Sequence, residues 1–206
     1  NIKKEANKYK ATIKVNNLIT YFLIQTDFQN NILNILATLA VMSIYLDISK
    51  IDKNIFNNFK IPNGRGDISK IKINSKILNL IDESYNSNPL SLKSAIENFD
   101  KIESNKSKKY LLLGDMLELG KYSKKLHQSI GNIINGTKID KVFVKGHKIL
   151  FTFNSISKLK RGRILNKDFE IINLIKNDLN NNDYLMVKAS NATGFNVIIN
   201  RMKGLK

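Results

Sequence analysis

The chain has 206 residues, of which 42% are hydrophobic and 25% charged, with ten glycines and two prolines. That balance excludes a disordered or collagen-like chain, and the absence of cysteine excludes disulfide scaffolds, thiolate metal sites and thiol nucleophiles. The formal charge of +17 favours polyanionic partners without choosing among nucleic acid, anionic membrane and phosphorylated substrates. The lysines are spread over nearly every segment, tryptophan is absent, and no basic stretch is interleaved with aromatics as a base-stacking groove would be. No nucleic-acid partner is therefore expected.

In chain order, Tyr9 to Ile24 is rich in β-formers and predicts a hairpin turning at Asn16-Asn17. Ile32 to Leu46 is the longest apolar run; Asn34, Thr38 and Ser43 interrupt it. It falls short of the roughly 20 apolar residues of a bilayer span and predicts a buried helix from about Asn31. No membrane span is expected. A weaker helix is predicted over Ile51 to Phe59. Lys60 to Asp67, with Pro62, Gly64 and Gly66, has the composition of a linker. Asn1 to Lys10 lacks the apolar block of a secretory signal, and the expectation is that the chain starts inside a longer protein.

Beyond the linker, short apolar runs alternate with helical periods. Strands are predicted at Ile77 to Ile81, Tyr110 to Leu113, Lys141 to Val144 and Tyr184 to Val187. Between them, Asn88-Pro89 supplies an N-cap and a first-turn proline for a helix with Leu92, Ala95, Ile96 and Phe99 on one face. Later helices carry Leu126, Ile130, Ile133 and Ile134, then Asp168 to Leu179, then Phe195, Ile198, Ile199 and Met202. Wholly apolar strands alternating with helices imply an α/β fold, doubly wound around a mostly parallel sheet. The expected domains are 1–61, a hinge over 62–68, and 69–206.

In such a sheet, ligands gather at the carboxyl ends of the strands. Here those ends read Asp82-Glu83-Ser84-Tyr85-Asn86-Ser87-Asn88, Gly114-Asp115, Lys145-Gly146-His147 and Lys188-Ala189-Ser190-Asn191-Ala192-Thr193-Gly194. Carboxylates suit ribose hydroxyls, Asn amides suit an adenine edge, and Lys188 suits a carboxylate or phosphate. Ordinary capping and turn chemistry accounts for many of the same residues. Gly114 to Tyr122 fails as a phosphate loop: its spacing is one residue too long, and Tyr122 stands where a magnesium-binding hydroxyl belongs. His127 and His147 are the only histidines, too few for a histidine-rich metal site. His127 in a helix reads as a packed or solvated side chain, with a functional role as the alternative.

The stretch Ile81 to Pro89, the stretch Leu112-Leu113-Gly114-Asp115-Met116-Leu117-Glu118-Leu119-Gly120, and then His127 resemble the Mur ligases. Asn31-x-x-Asn34, Gly64-Arg65-Gly66 and Val187-Lys188-Ala189-Ser190-Asn191 fall in the matching order. Within that family the likeness is to the branch that adds D-alanyl-D-alanine to UDP-N-acetylmuramoyl-tripeptide. The resemblance implies a cytoplasmic, monomeric, ATP- and Mg2+-dependent ligase of peptidoglycan-precursor synthesis. It covers the tail of the central ATP-binding domain (1–61) and a Rossmann-like C-terminal domain (69–206). It further implies that Asn31, Asn34, Arg65, Asp82, Glu83, Tyr85, Asn86 and Asn88 face the nucleotide, and that Lys188, Ser190, Asn191 and Thr193 face the dipeptide. Asp115 and His127 are further candidates, and no metal ligand is assigned.

Two departures stand out. The family's Gly-x-His-Asn reads Phe28-Gln29-Asn30-Asn31, and its Lys-Gly-Ser reads Lys188-Ala189-Ser190, which narrows a backbone approach that glycine would permit. With no phosphate loop in the sequence, the chain alone is expected to have no ligase activity. Two alternatives remain open: a fragment of another Mur-type ligase, adding a diamino acid or glutamate, and a non-catalytic basic module that binds nucleic acid.

Overall fold

Alternation of β-branched and polar residues in the first sixty positions produces three antiparallel strands, β1 (Ile2–Glu5), β2 (Lys8–Val15) and β3 (Leu18–Ile24), in the order β1-β2-β3. The structure, a computed structural model, describes residues 1–204 other than 16, 26–28, 60–61 and 105. It divides into two units, Asn1–Lys60 and Ile61–Lys206. In the first, β2 and β3 form the expected hairpin, paired from Tyr9 with Ile24 to Val15 with Leu18; Asn16 of its turn lies outside the described residues. β1 is an addition that its polar sequence does not announce.

Ala11, Ile13, Phe22 and Ile24 share one sheet face and pack against Ile35 and Leu39 of α1 (Gln29–Tyr45). The apolar run therefore forms the expected helix, but its burial is confined to one stripe: Leu33, Val41, Ile44 and Tyr45 are exposed. A helix that is apolar all round has more than one face to cover, and the three-stranded sheet covers only one.

The helix expected over Ile51 to Phe59 does not form. That stretch is a run of turns in which the Asp52 carboxylate accepts from the Asn54 N–H and Asn57 donates its side-chain amide to Asn54. Short polar side chains offer the backbone local partners that compete with helical ones. Phe56 is instead fixed edge-on to Phe22, 5.6 Å between ring centres.

The second unit is a six-stranded sheet built from β4 (Asp67–Ile73), β5 (Lys76–Glu83), β6 (Lys109–Gly114), β7 (Lys141–Lys145), β8 (Arg161–Ile164) and β9 (Tyr184–Lys188), in the order β4-β5-β9-β6-β7-β8. All neighbours are parallel except β4 with β5. The four apolar strands are the predicted ones, each one to three residues longer. The edge strands β4 and β8 lack the uninterrupted apolar runs of the central strands: β4 mixes isoleucine with charged residues and β8 is largely polar, as edge strands can be. Asp67 and Ile68, placed in the expected hinge, open β4, which turns back through Asn74-Ser75 with Asn74 at φ 56.

On one sheet face Leu80, Leu112 and Val187 pack against α5 (Asp168–Asp178) and α6 (Phe195–Met202). On the other, Leu111, Leu113 and Val144 pack against α2 (Pro89–Lys101), α3 (Ser123–Asn135) and α4 (Leu150–Ser155). α3 and α4 approach closely at Gly131, where a Cβ would lie 2.5 Å from that of Ser155. No helix among the described residues is long and apolar enough to cross a membrane.

The start of α2 has the predicted cap: Asn88 accepts from the Ser91 N–H at 2.8 Å, and the Ser91 hydroxyl accepts from the Asn88 N–H. Asn88→Ala should lower the stability of the second unit by about 1 kcal/mol, read as a fall in urea midpoint at unchanged slope.

Candidate functional site

β5 and β9 lie side by side with Glu83 opposite Lys188, so their polar tails open at the same end of the sheet. The segment Gly64 to Asp67 lies against this end. The Gly66 N–H donates to the Asp82 carbonyl at 2.7 Å, and the Tyr85 N–H donates to the Gly64 carbonyl at 3.0 Å. Gly64 and Gly66 have φ of 77° and 94°, and a Cβ on Gly64 would press on Tyr85 at 3.0 Å; both strain and space call for glycine here. The result sets the Arg65 guanidinium 4.1 Å above the Tyr85 ring, with both residues exposed.

The charged residues behind this surface are enclosed. Asp82 is 1% exposed; one carboxylate oxygen accepts from the Ser84 N–H and hydroxyl, the other from Lys203 at 2.6 Å. Lys203 also reaches Asp67 at 2.6 Å. Burial disfavours its charge, but the bonds to Asp67 and Asp82 outweigh that and hold its pKa above the ordinary 10.5. Lys188 is 2% exposed and donates to Glu83 at 3.0 Å and to the Asn86 carbonyl at 2.9 Å. Ser190 is buried as well, accepting from the Leu117 N–H and donating to the Ser87 carbonyl. Asp82, Lys188 and Ser190 thus hold the loops together and offer a ligand almost no surface.

The exposed candidates at this end are Arg65, Tyr85, Asn86, Asn88 and Asn191. Asn88 is occupied as the helix cap, Asn86 accepts from the Ser87 N–H, and Asn191 accepts from the Asn196 side chain. Asn31 and Asn34 belong to the first unit, in the early turns of α1. The Ala189 methyl does not narrow the ligand surface: it is fully buried against Gly114, whose missing side chain leaves it room.

A cleft of about 360 Å³ opens beyond the ends of β6, β7 and β8, walled by Asp115, Lys145, His147, Asn166 and Thr193 over a floor of Leu150, Leu165 and Phe195. Its volume is in the range of small-molecule sites, roughly 300–1,000 Å³. Asp115 shapes the rim, accepting from the backbone N–H groups of His147 and Ile149. Lys145, one-fifth exposed, pairs at 2.8 Å with the well-exposed Asp168 and lies 5.6 Å from the Phe195 ring centre. The polar strand end Lys145-Gly146-His147 is visible in the sequence; Asp67 and Lys203 carry no signal, because the Lys203 bonds to Asp67 and Asp82 span 136 and 121 residues.

His127 is fully buried. Its Nε2 accepts from the Met116 N–H at 3.2 Å, which leaves the proton on Nδ1, 2.8 Å from the Ser123 carbonyl. It braces the loop after β6.

A family model described as "Mur ligase, glutamate ligase domain" matches residues 70–191. The chain is 30% identical over 166 residues to the UDP-N-acetylmuramoyl-tripeptide--D-alanyl-D-alanine ligase of Bacillus subtilis, and 33% identical over 178 residues to the ligase of that name from Buchnera aphidicola. These alignments cover 79% and 84% of this chain and 35% and 36% of those proteins, so the chain spans about a third of the length of its relatives. The MurF ligase of Thermotoga maritima, solved with ADP, superposes with a TM-score of 0.78 at 21% identity, over 99% of this chain and 45% of that one. With the fold and the family motifs in agreement, the chain belongs to the Mur ligase family.

Burial, opposed by the Ser123 bond and the Asp115 charge, lowers the His127 pKa below its ordinary 6.5. The unfolded chain then takes up a proton that the folded chain refuses, so this contribution to stability is complete above pH 6.5 and is lost as the pH falls below it. Urea midpoints between pH 7.5 and 5.5 should drop more for the wild type than for His127→Gln; equal drops would contradict a buried neutral imidazole.

Proposed function

We propose that this chain is the C-terminal portion of a cytoplasmic, monomeric, ATP-dependent amide ligase that adds D-alanyl-D-alanine to UDP-N-acetylmuramoyl-tripeptide in peptidoglycan-precursor synthesis. The observation that carries this reading is the agreement of two relatives at 30% and 33% identity in that activity. The two polar regions at one end of the second sheet are compatible with it. In this reading 1–61 is the tail of the central ATP-binding domain, which suits the uncovered apolar face of α1, the expected hinge of 62–68 shortens to 62–66, and the C-terminal domain, expected over 69–206, opens with β4 at Asp67.

Arg65, Tyr85 and Asn86 present the cationic and planar groups that suit phosphate and nucleobase. Glu83, partly exposed with one oxygen on Lys188, is the carboxylate available to a ribose hydroxyl. Asp82 supports this surface from beneath. The dipeptide fits the cleft beside Thr193 and Asn191. There Lys145 can exchange its exposed partner Asp168, a pairing worth little in water, for the peptide carboxylate, while Leu150 and Phe195 receive the methyl groups.

The chemistry is two displacements. A substrate carboxylate oxygen attacks the terminal phosphorus of ATP, releasing ADP and forming an acyl phosphate. The dipeptide amine then attacks the acyl carbon, an amide bond forms, phosphate leaves and the amine gives up a proton. Besides the nucleotide contacts of Arg65, Tyr85, Asn86 and Glu83, this chain supplies orientation of the amine. Magnesium is the family's expected cofactor, but no group of three or more His, Asp or Glu among the described residues could hold a metal. Asp67 and Asp82 are bound to Lys203 and Glu83 to Lys188, so these residues do not fit a magnesium site.

The full-length gene product, given ATP, the tripeptide substrate and D-alanyl-D-alanine, should yield a product heavier by one dipeptide residue in mass spectrometry. Incorporation of glutamate or a diamino acid instead would overturn the assignment of substrate. The present chain alone should release no phosphate from ATP above a protein-free control. Lys145→Ala should raise the dipeptide KM about tenfold with the ATP KM unchanged; an unchanged dipeptide KM would remove Lys145 from the site.

A further inference from the structure

The segment carrying Arg65 is fastened to the end of β5 by one side chain from the far end of the chain. Lys203, just beyond α6, has a side chain 7% exposed and places its ammonium 2.6 Å from carboxylate oxygens of both Asp67 and Asp82. Each carboxylate passes the constraint on. Asp67 accepts the Gly64 N–H at 2.8 Å through its other oxygen. Asp82 holds Ser84 through its other oxygen, while its backbone carbonyl takes the Gly66 N–H. Gly64 in turn receives the Tyr85 N–H, so the peptide units on both sides of Arg65 are pinned and the guanidinium is set over the Tyr85 ring.

From this geometry we infer that Lys203 is a positioning residue for Arg65. Its ammonium stands between two carboxylates, the partly exposed Asp67 and the buried Asp82, that would otherwise repel each other. Removing the shared ammonium leaves the buried Asp82 charge uncompensated and facing a second carboxylate, and the weaker attachment is the one that yields. Asp67 is that attachment: its side chain is 19% exposed against 2% for Asp82, and it lies on edge strand β4, whereas Asp82 lies inside the sheet on β5. Loss of the ammonium therefore loosens Gly64 to Asp67 while leaving the sheet intact.

The consequence for catalysis rests on the proposed nucleotide role of Arg65, whereas the consequence for the backbone does not. The test uses the full-length enzyme with Lys203→Met, Lys203→Arg, and Lys203→Met combined with Asp67→Asn. Hydrogen exchange is followed in peptides covering 63–67 and 83–86. Lys203→Met should speed exchange in these peptides about tenfold and leave those of β6 and β7 protected. Lys203→Arg should restore most of the protection by keeping the charge, and Asp67→Asn in the Met background should restore part by relieving the repulsion.

In steady-state assays the ATP KM should rise about tenfold in Lys203→Met, with the dipeptide KM unchanged and the same order of rescue. Unchanged exchange at 63–67, or a uniform loss of protection across the sheet that the Asp67→Asn change does not relieve, would overturn the positioning role. If the wild type ligates no dipeptide, the functional reading falls, and the exchange data still decide whether Lys203 positions this segment.

Discussion

Two carboxylates and one ammonium, the partly exposed Asp67 with the buried side chains of Asp82 and Lys203, meet at the end of β5 and determine what the carboxyl edge of this sheet can present. Enclosing charge is costly unless every partner is in place, and here the partners come from three separate parts of the chain: the first residue of β4, the tail of β5 and the residue just beyond α6. Once they are joined, Arg65 and Tyr85 have fixed positions on the surface. The neighbouring Glu83 and Lys188 pair does the same for the Asn86 loop. Charges in the loop sequences that read as ligand-binding are largely consumed in building the platform, and the groups free to meet a ligand are those standing on it.

The same economy explains much of the basic composition. Lys76 donates to the Lys176 and Leu179 carbonyls at the end of α5, Lys109 to the Asp100 carbonyl in the last turn of α2, and Lys141 to the Leu159 carbonyl. Lys160 serves the Thr137 and Ile139 carbonyls beyond α3. Ammonium groups near helix C-termini satisfy orphan acceptors and complement the helix dipole. A share of the +17 charge is therefore internal cement, which is why its sign alone does not identify a partner.

What the sequence made legible follows from physics that acts locally. The buried strands β5, β6, β7 and β9 declared themselves because both faces must be apolar, and α2 because Asn88, Pro89 and a one-sided apolar stripe agree. β4 and β8 are less legible because neither is an uninterrupted apolar run, and the turns at 51–58 replace the expected helix because Asp52 and Asn54 act through side-chain bonds that a periodicity reading does not weigh. At the site, the motif residues cluster at one end of the sheet as a parallel arrangement requires, but their roles differ. Asp82, Lys188 and Ser190 read as ligand-facing and lie inside; His127 read as packed or solvated and is packed. Lys203 was illegible, since its two partners are close only after folding. Lys145 stood in plain view at a strand end, and only the shape of the cleft singles it out.

The most direct test of this division of labour is a crystal structure of the full-length enzyme with a non-hydrolysable ATP analogue and D-alanyl-D-alanine. The account predicts Asp82 still bonded to Lys203, Arg65 and Tyr85 facing the nucleotide, and the dipeptide carboxylate within hydrogen-bond distance of Lys145. Asp82 turned out to a ribose hydroxyl, or the dipeptide seated on Lys188 with the Glu83 pair broken, would contradict it.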